Sequence, residues 1–244
     1  MVFRQVLKRS NTIIGLVHDL RRLQKLVARI PQLGSRNRII TSYLASHKIR
    51  KLQIGTGPTS LGDWLCTDID PVSDNVVYLD ATRPFPFDSN TFNYVYCEHM
   101  IEHISWDEGL FMLRECRRVL VAGGTIRIAT PDLEVLIGLY RRNGGELGDR
   151  YVKWITNRYL AGIRVYNPSF VINNAFRNWG HQFLYDGELM KMAMQEAGFT
   201  DIRRCLSGES KDENLRGIES HGKNVDDNEM AAFETMILEG KCPM

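Results

Sequence analysis

Leu52-Gln53-Ile54-Gly55-Thr56-Gly57, followed by Trp64-Leu65-Cys66-Thr67-Asp68 and Val76-Val77-Tyr78-Leu79-Asp80, is the stretch on which the fold turns. Three short apolar runs end at chemically distinct stops, the first at a glycine pair and each of the others at an aspartate. Runs of this length bounded by Gly, Pro, Asp and Ser read as strands. A glycine at a strand end lets the backbone approach a ligand, because a Cβ would block both the turn and the approach. Singly, GxG can be a plain tight turn, and each acid can be a strand-end cap. In register they describe a nucleoside site outside the carboxyl ends of a parallel sheet. Asp68 then lies in reach of ribose hydroxyls and Asp80 in reach of an adenine amino group.

The same spacing argues against a dinucleotide. That fingerprint needs GxGxxG, a full helix, and an acid about 20 residues later. Here ten residues separate Gly57 from Asp68, and Pro58 interrupts them. Without a helix N-terminus a pyrophosphate loses its usual anchor, whereas S-adenosylmethionine has no phosphate to lose.

Outward from this stretch, strands are predicted at 51–54, 64–67, 76–79 and 93–96. A helix follows at 107–120, then a Gly123–Gly124 turn into a strand at 125–129. Residues 133–180 read as a helical cap. A helix at 186–197 is closed by Gly198 and followed by a strand at 200–205, a polar insertion at 207–229 and a last strand at 233–239. The prediction is an α/β, Rossmann-like, mainly parallel sheet over residues 51–244.

Residues 1–50 form a separate, basic segment. From Asn11 to Ile30 apolar residues recur at helical spacing and predict an amphipathic helix, with a second short helix at 39–46. Residues 1–51 hold twelve Lys/Arg and one acid, while the remainder holds nineteen Lys/Arg and twenty-eight acids. Such asymmetry suggests an anionic partner, and residues 1–30 could touch a membrane periphery. No apolar run approaches the ~18 residues of a membrane span. Five scattered cysteines without a CxxC pair read as reduced thiols, which implies a cytoplasmic protein.

Together these motifs resemble the small class I S-adenosylmethionine-dependent methyltransferases associated with polysaccharide biosynthesis. The likeness is carried by Leu52–Gly57, Gly62–Pro71, Leu79-Asp80-Ala81, Pro84–Phe92, Glu102-His103, Arg114–Leu120, Gly123–Ala129, Pro131-Asp132, Gly180–Tyr185 and Gly208-Glu209-Ser210. It covers roughly residues 51–240, and the first 50 lie outside it. It implies a mainly parallel sheet with an antiparallel last strand. It also implies that Gly55, Thr56 and Gly57 line the methionine end of the cofactor. Asp68 would be at the ribose, Asp80 and Ala81 at the adenine, and the backbone of Cys97 and Glu98 would face the sulfonium.

Directly after the fourth strand comes Cys97-Glu98-His99-Met100-Ile101-Glu102-His103. On a helical turn His99, Glu102 and His103 would share a side, and His181 arrives from beyond the fifth strand. The pattern is similar to the E-x-x-E-H of small-RNA 2′-O-methyltransferases, which hold a divalent metal, and of ubiquinone-pathway O-methyltransferases; His99 replaces the first Glu. Three roles stay open for these four residues: shaping the pocket, general base, or ligands of a divalent metal.

The expected function is S-adenosylmethionine-dependent O-methylation of a sugar, glycan or related metabolite. RNA methylation is the second reading, although a net-acidic body is a poor nucleic-acid surface. A non-catalytic, cofactor-binding subunit of a membrane-peripheral complex is the third. The aromatics Trp154, Tyr159, Tyr166, Phe170, Phe176 and Trp179, interleaved with Lys153, Arg158, Arg164 and Arg177, read either as a cap over the core or as platforms for sugars or bases.

Overall fold

The computed structural model describes residues 34–141 and 143–244. The expected helix at 11–30 lies outside them. The chain divides into two compact units at Ser46/His47. In the first, residues 34–46 form helix α1, with Ile40 and Tyr43 buried; the short helix expected at 39–46 is its second half.

The second unit is built on seven strands in the order β3-β2-β1-β4-β5-β7-β6. They are β1 (Lys51–Ile54), β2 (Leu65–Asp68), β3 (Val77–Tyr78), β4 (Phe92–Glu98), β5 (Leu120–Pro131), β6 (Thr200–Cys205) and β7 (Thr235–Lys241). The first five pair in parallel, while β7 runs antiparallel to both β5 and β6. This is a Rossmann-like, mainly parallel α/β sheet, with the reversed strand inserted between β5 and β6. Parallel strands covered on both faces become continuous apolar runs, and β5 is buried without a break from Thr125 to Pro131.

Helix α2 (Trp106–Val119) carries the crossover from β4 to β5. It begins at a capping box in which the Ser105 side chain accepts from Glu108 N–H and the Glu108 side chain accepts from Ser105 N–H. The β1–β2, β2–β3 and β3–β4 connections contain no helix, as the short Gly57–Asp68 spacing requires. Beyond β5 come α3 (Leu133–Tyr140), α4 (Gly145–Tyr159) and α5 (Pro168–Arg177). In this span, expected as a helical cap, they bury Leu136, Leu139, Tyr151, Val152, Ile155 and Val171 against one another. Helix α6 (Gly187–Glu196) precedes β6.

Two boundaries differ from the sequence reading. Gly123 and Gly124 are not a turn before a strand; β5 already begins at Leu120, and the pair lies in an irregularity of its register with β4. Gly123 adopts φ +76°, and a Cβ on Gly124 would sit 2.9 Å from Val121 O, so glycine is what lets the strand kink and continue. The last strand begins at Thr235 rather than at Phe233. Asp227 accepts from Met230 N–H at 3.0 Å and starts helix α8 (Asn228–Glu234), which holds Phe233.

The polar insertion is not a loose loop. It forms a 3₁₀ turn at Glu213–Leu215 and helix α7 (His221–Asn224). Leu215 is fully buried in a cluster with Trp64, Cys66, Val76 and Tyr96. Glu219 meets Arg127, which is fully buried on β5. Arg127 donates through Nε to Glu219 Oε1 at 2.6 Å, and through one terminal nitrogen to Glu239 Oε1 at 2.6 Å and Glu209 O at 3.0 Å. Arg203 bonds Glu239 from the other side.

Removing one partner of such a network leaves buried carboxylates without a counter-charge, so Arg127→Met should cost about 3–5 kcal/mol in chemical denaturation. Burial alone would raise Glu239, but bonds from Ser210, Arg203 and Arg127 hold its carboxyl below the ordinary 4.5. Its contribution is therefore full above about 4.5 and is lost as pH falls through the lower folded-state value. Acid unfolding should show that loss, and Glu239→Gln should flatten it.

Candidate active site

The carboxyl ends of β1 and β4 open into one cavity of about 330 Å³. At one end lie Gly55, Thr56 and Gly57. Gly55 has φ +69° and Gly57 φ +55°, the left-handed region that side chains avoid. A Cβ on Gly55 would lie 2.5 Å from Met100 Cγ, whereas one on Gly57 would meet no atom within 4 Å. The turn is shaped from below: Gly57 N–H donates to Asp68 Oδ2 at 2.9 Å, and buried Thr56 donates N–H to Thr67 O at 3.1 Å.

At the other end β4 delivers Glu98, His99, Glu102 and His103. His99 leaves the strand at φ +46° and donates its N–H to Ala129 O. Ile101–His103 then form a 3₁₀ turn rather than an α-helical one. Glu102 is fully buried and accepts from Thr130 Oγ1 at 3.0 Å. Its backbone carbonyl accepts from Gln182 and Phe183 N–H, and Gln182 Nε2 donates to His103 O at 2.7 Å. These bonds bring in His181, whose ring lies 5.0 Å from that of His103.

All four expected residues thus line one cavity, but they do not form one ligand set. His99 groups with His221 and Glu234, while Glu102 groups with His103 and His181. The expected single set of four is corrected accordingly. The physical reason lies in the backbone: His99 precedes the turn in a left-handed conformation and so projects apart from His103. The His99 and His221 rings stack at 3.6 Å and 16°. Parallel imidazoles aim their in-plane lone pairs side by side, which does not suit a shared metal.

Electrostatics separate the roles further. Burial pulls His99 down, but Glu102, 3.3 Å from Nδ1, with Glu234 and Glu98 outweighs it and holds the imidazole above 6.5. Its Nε2 is engaged by Thr235 Oγ1 at 2.9 Å. The partner Glu102 would be raised by burial, yet His99 and His103 hold it below 4.5. His181 goes the other way: burial pushes it below 6.5. Its Nδ1 meets Ala175 O at 2.8 Å; a carbonyl only accepts, so Nδ1 carries the hydrogen and Nε2 keeps its lone pair.

Other expected positions stand outside the cavity. Asp68, at the end of β2, accepts from Gly57 and Asp70 N–H, and Asp80, shortly after β3, accepts through Oδ1 from Thr82 N–H and hydroxyl, with Ala81 next to it in the chain. Cys97 is fully buried, and burial pushes its thiol well up. Glu98 does line the cavity, but its carboxylate holds the insertion, accepting from Ser220 N–H and hydroxyl and from His221 N–H at 2.8–3.0 Å.

Sequence reading missed Ser220, His221 and Glu234. His221 could have been found as another histidine of the second unit, inside a segment read only as polar. No local signal marks Glu234, whose carboxylate bonds the hydroxyl of Tyr151 and lies 3.4 Å from His221 Nε2. Cap residues Trp154, Tyr159 and Trp179 complete the wall, with Tyr159 and Trp179 edge to face at 5.1 Å.

Residues 39–128 match a family model described as a methyltransferase domain. No curated protein matches the chain. A SAM-dependent methyltransferase from Archaeoglobus fulgidus shares 16% identity over 87% of this chain and 93% of its own, with a TM-score of 0.45. A Haloferax volcanii methyltransferase in complex with the Trm112 methyltransferase activator shares 13% over 89% and 95%, with a TM-score of 0.45. A Thermotoga maritima SAM-dependent methyltransferase shares 17% over 93% and 95%, with a TM-score of 0.43.

Glu102→Gln should remove what holds His99 up and leave burial to dominate. In an NMR titration the His99 midpoint should move from above the ordinary imidazole value to below it, while a chain that has merely lost its fold would show an unperturbed midpoint.

Proposed function

We propose that the chain is an S-adenosylmethionine-dependent methyltransferase, a reading supported by the methyltransferase-domain match and the sheet order, and that it O-methylates a hydroxyl on a sugar, glycan or related metabolite. The observation that carries the proposal is His181, a neutral imidazole with Nδ1 fixed on Ala175 O and the glycine turn in the same cavity.

The residues present fit the methionine end of the cofactor, since the open space above Gly57 is what any side chain there would fill. In this reading Asp68 would meet the ribose, and Asp80 and Ala81 the adenine. When bound, S-adenosylmethionine supplies an electrophilic methyl group. The chain supplies position and a proton acceptor: the turn at Gly55–Gly57 and the cluster around Glu102 bring the acceptor hydroxyl in line, and His181 Nε2 takes its proton. Glu102 favours the protonated form of His99, which makes it a poorer candidate for the base than His181 and suits it to ordering the carboxylate. Trp154, Tyr159 and Trp179 offer ring faces to the apolar side of a sugar. Three carboxylates in the wall, Glu98, Glu102 and Glu234, weigh against a nucleic-acid phosphate backbone.

One observation favours a variant in which Glu102, His103 and His181 would hold a divalent metal, which would supply Lewis-acid activation of the hydroxyl there. Their donor atoms lie within 4.8 Å of one another, and buried Glu102 Oε1 has no well-directed hydrogen bond. Imidazole and carboxylate suit zinc, manganese, iron or nickel.

Calorimetry should find S-adenosylhomocysteine bound with micromolar affinity, about −8 kcal/mol, weakened by Asp80→Ala. His181→Ala should lose on the order of a hundredfold in turnover while keeping that affinity within about twofold. Without a metal, activity survives chelation and falls with pH through a midpoint below the ordinary 6.5, as the His181 imidazole protonates. Loss on chelation, restored by one equivalent of metal, would establish the metal variant instead. An unchanged turnover in His181→Ala would overturn the role given to this residue.

A further inference from the structure

We propose that the cap is a docking face for an anionic lipid surface, with the mouth of the cavity at its edge. Residues 150–185 contain no Asp or Glu, yet carry Arg150, Lys153, Arg158, Arg164 and Arg177. The rest of the chain beyond residue 51 is strongly acidic, so this span is an island of opposite sign. Two of its cations are used internally: Arg150 pairs with Glu229 and Arg158 with Asp226. Among the described residues, Lys153, Arg164 and Arg177 pair with no acid.

Apolar side chains project from the same span. Val165 is 62% exposed, Tyr166 52%, Phe170 41%, Phe176 46% and Trp179 43%. On α5 the pattern is ordered. Val171, Asn174 and Ala175 face inward, and at 100° per residue Phe170, Asn173, Phe176 and Arg177 fall together on the outward side. Large aromatics beside unpaired arginines suit a lipid–water interface, where rings enter the headgroup layer and cations meet anionic lipid. A second protein would be expected to meet an apolar face without an acid-free rim of cations. A membrane selects both features at once.

The cavity and this face share a residue. Trp179 is exposed and also lines the cavity beside His181. Docking would therefore set the active cavity against the lipid surface, where a lipid-linked or headgroup-borne acceptor would be presented. The docking itself does not depend on which acceptor is methylated.

The test is co-sedimentation of the full chain with phosphatidylcholine vesicles containing or lacking 30% phosphatidylglycerol. Two variants, Phe170→Ser/Phe176→Ser and Arg164→Glu/Arg177→Glu, touch neither the glycine turn nor the histidine cluster. Cofactor affinity serves as their folding control, so loss of the methyltransferase reading and loss of docking are read separately. The proposal expects binding only to anionic vesicles, weakened at high salt, and reduced at least tenfold in each variant that keeps cofactor affinity. The basic segment 1–51 is intact in every sample and cannot produce a difference between them. Equal partition of variants and wild type overturns the proposal. So does a wild-type dimer that binds no vesicles and becomes monomeric in Phe170→Ser/Phe176→Ser, which would make the face a contact between copies.

Discussion

Arg127 is the point through which the sheet and the histidine-lined cavity are joined. A fully buried guanidinium is tolerated because carboxylates meet it from two directions, Glu239 on the reversed strand and Glu219 on the insertion. Glu219 is followed directly by Ser220 and His221, and Glu98 grips both through their backbone N–H groups. His221 then lies flat on His99, His99 faces Glu102, and the backbone of Glu102 recruits the segment carrying His181. A charge in the centre of the sheet thus fixes the geometry of groups that come from four separate parts of the chain.

The division of labour among the histidines follows from which carboxylate each one sees. His99, enclosed but paired with Glu102, is stabilised as a cation. His181, enclosed and bonded to a carbonyl, is stabilised as a neutral ring. Two imidazoles in one cavity are pushed apart in proton affinity by their surroundings, and such separation is how acid and base roles are divided in a single site.

Much of this was legible in the sequence. Ile54-Gly55-Thr56-Gly57 with Asp68 eleven residues on fixed the first strand, the glycine turn and the lack of a crossover helix, because those constraints are local. The convergence of His103 and His181 was also readable, since both follow strands whose ends share one edge of the sheet. The split of the four into two groups was not: it depends on one left-handed backbone angle at His99 and on a 3₁₀ turn, neither of which has a periodic signature. The insertion was legible only as polar. Its structure comes from long-range partners, Arg127 and Glu98 on central strands and the pocket for Leu215, and a one-dimensional pattern does not record who is waiting across the fold. Phe233 was assigned to a strand on its apolarity, whereas the Asp227 cap, six residues earlier, decides for helix.

The β1–β2, β2–β3 and β3–β4 connections have no helix of their own, and Leu215 of the insertion is among the residues that fill the space beside Trp64 and Tyr96. This makes the insertion part of the core and not a lid hung over it. Swinging it aside would pull Leu215 out of its cluster and separate Glu219 from a guanidinium that water does not reach. The opposite wall is of another kind, built from aromatic rings, with Tyr159 and Trp179 meeting edge to face. The side of the cavity that looks most like an added flap is its fixed wall, held by a buried ion pair and a core leucine.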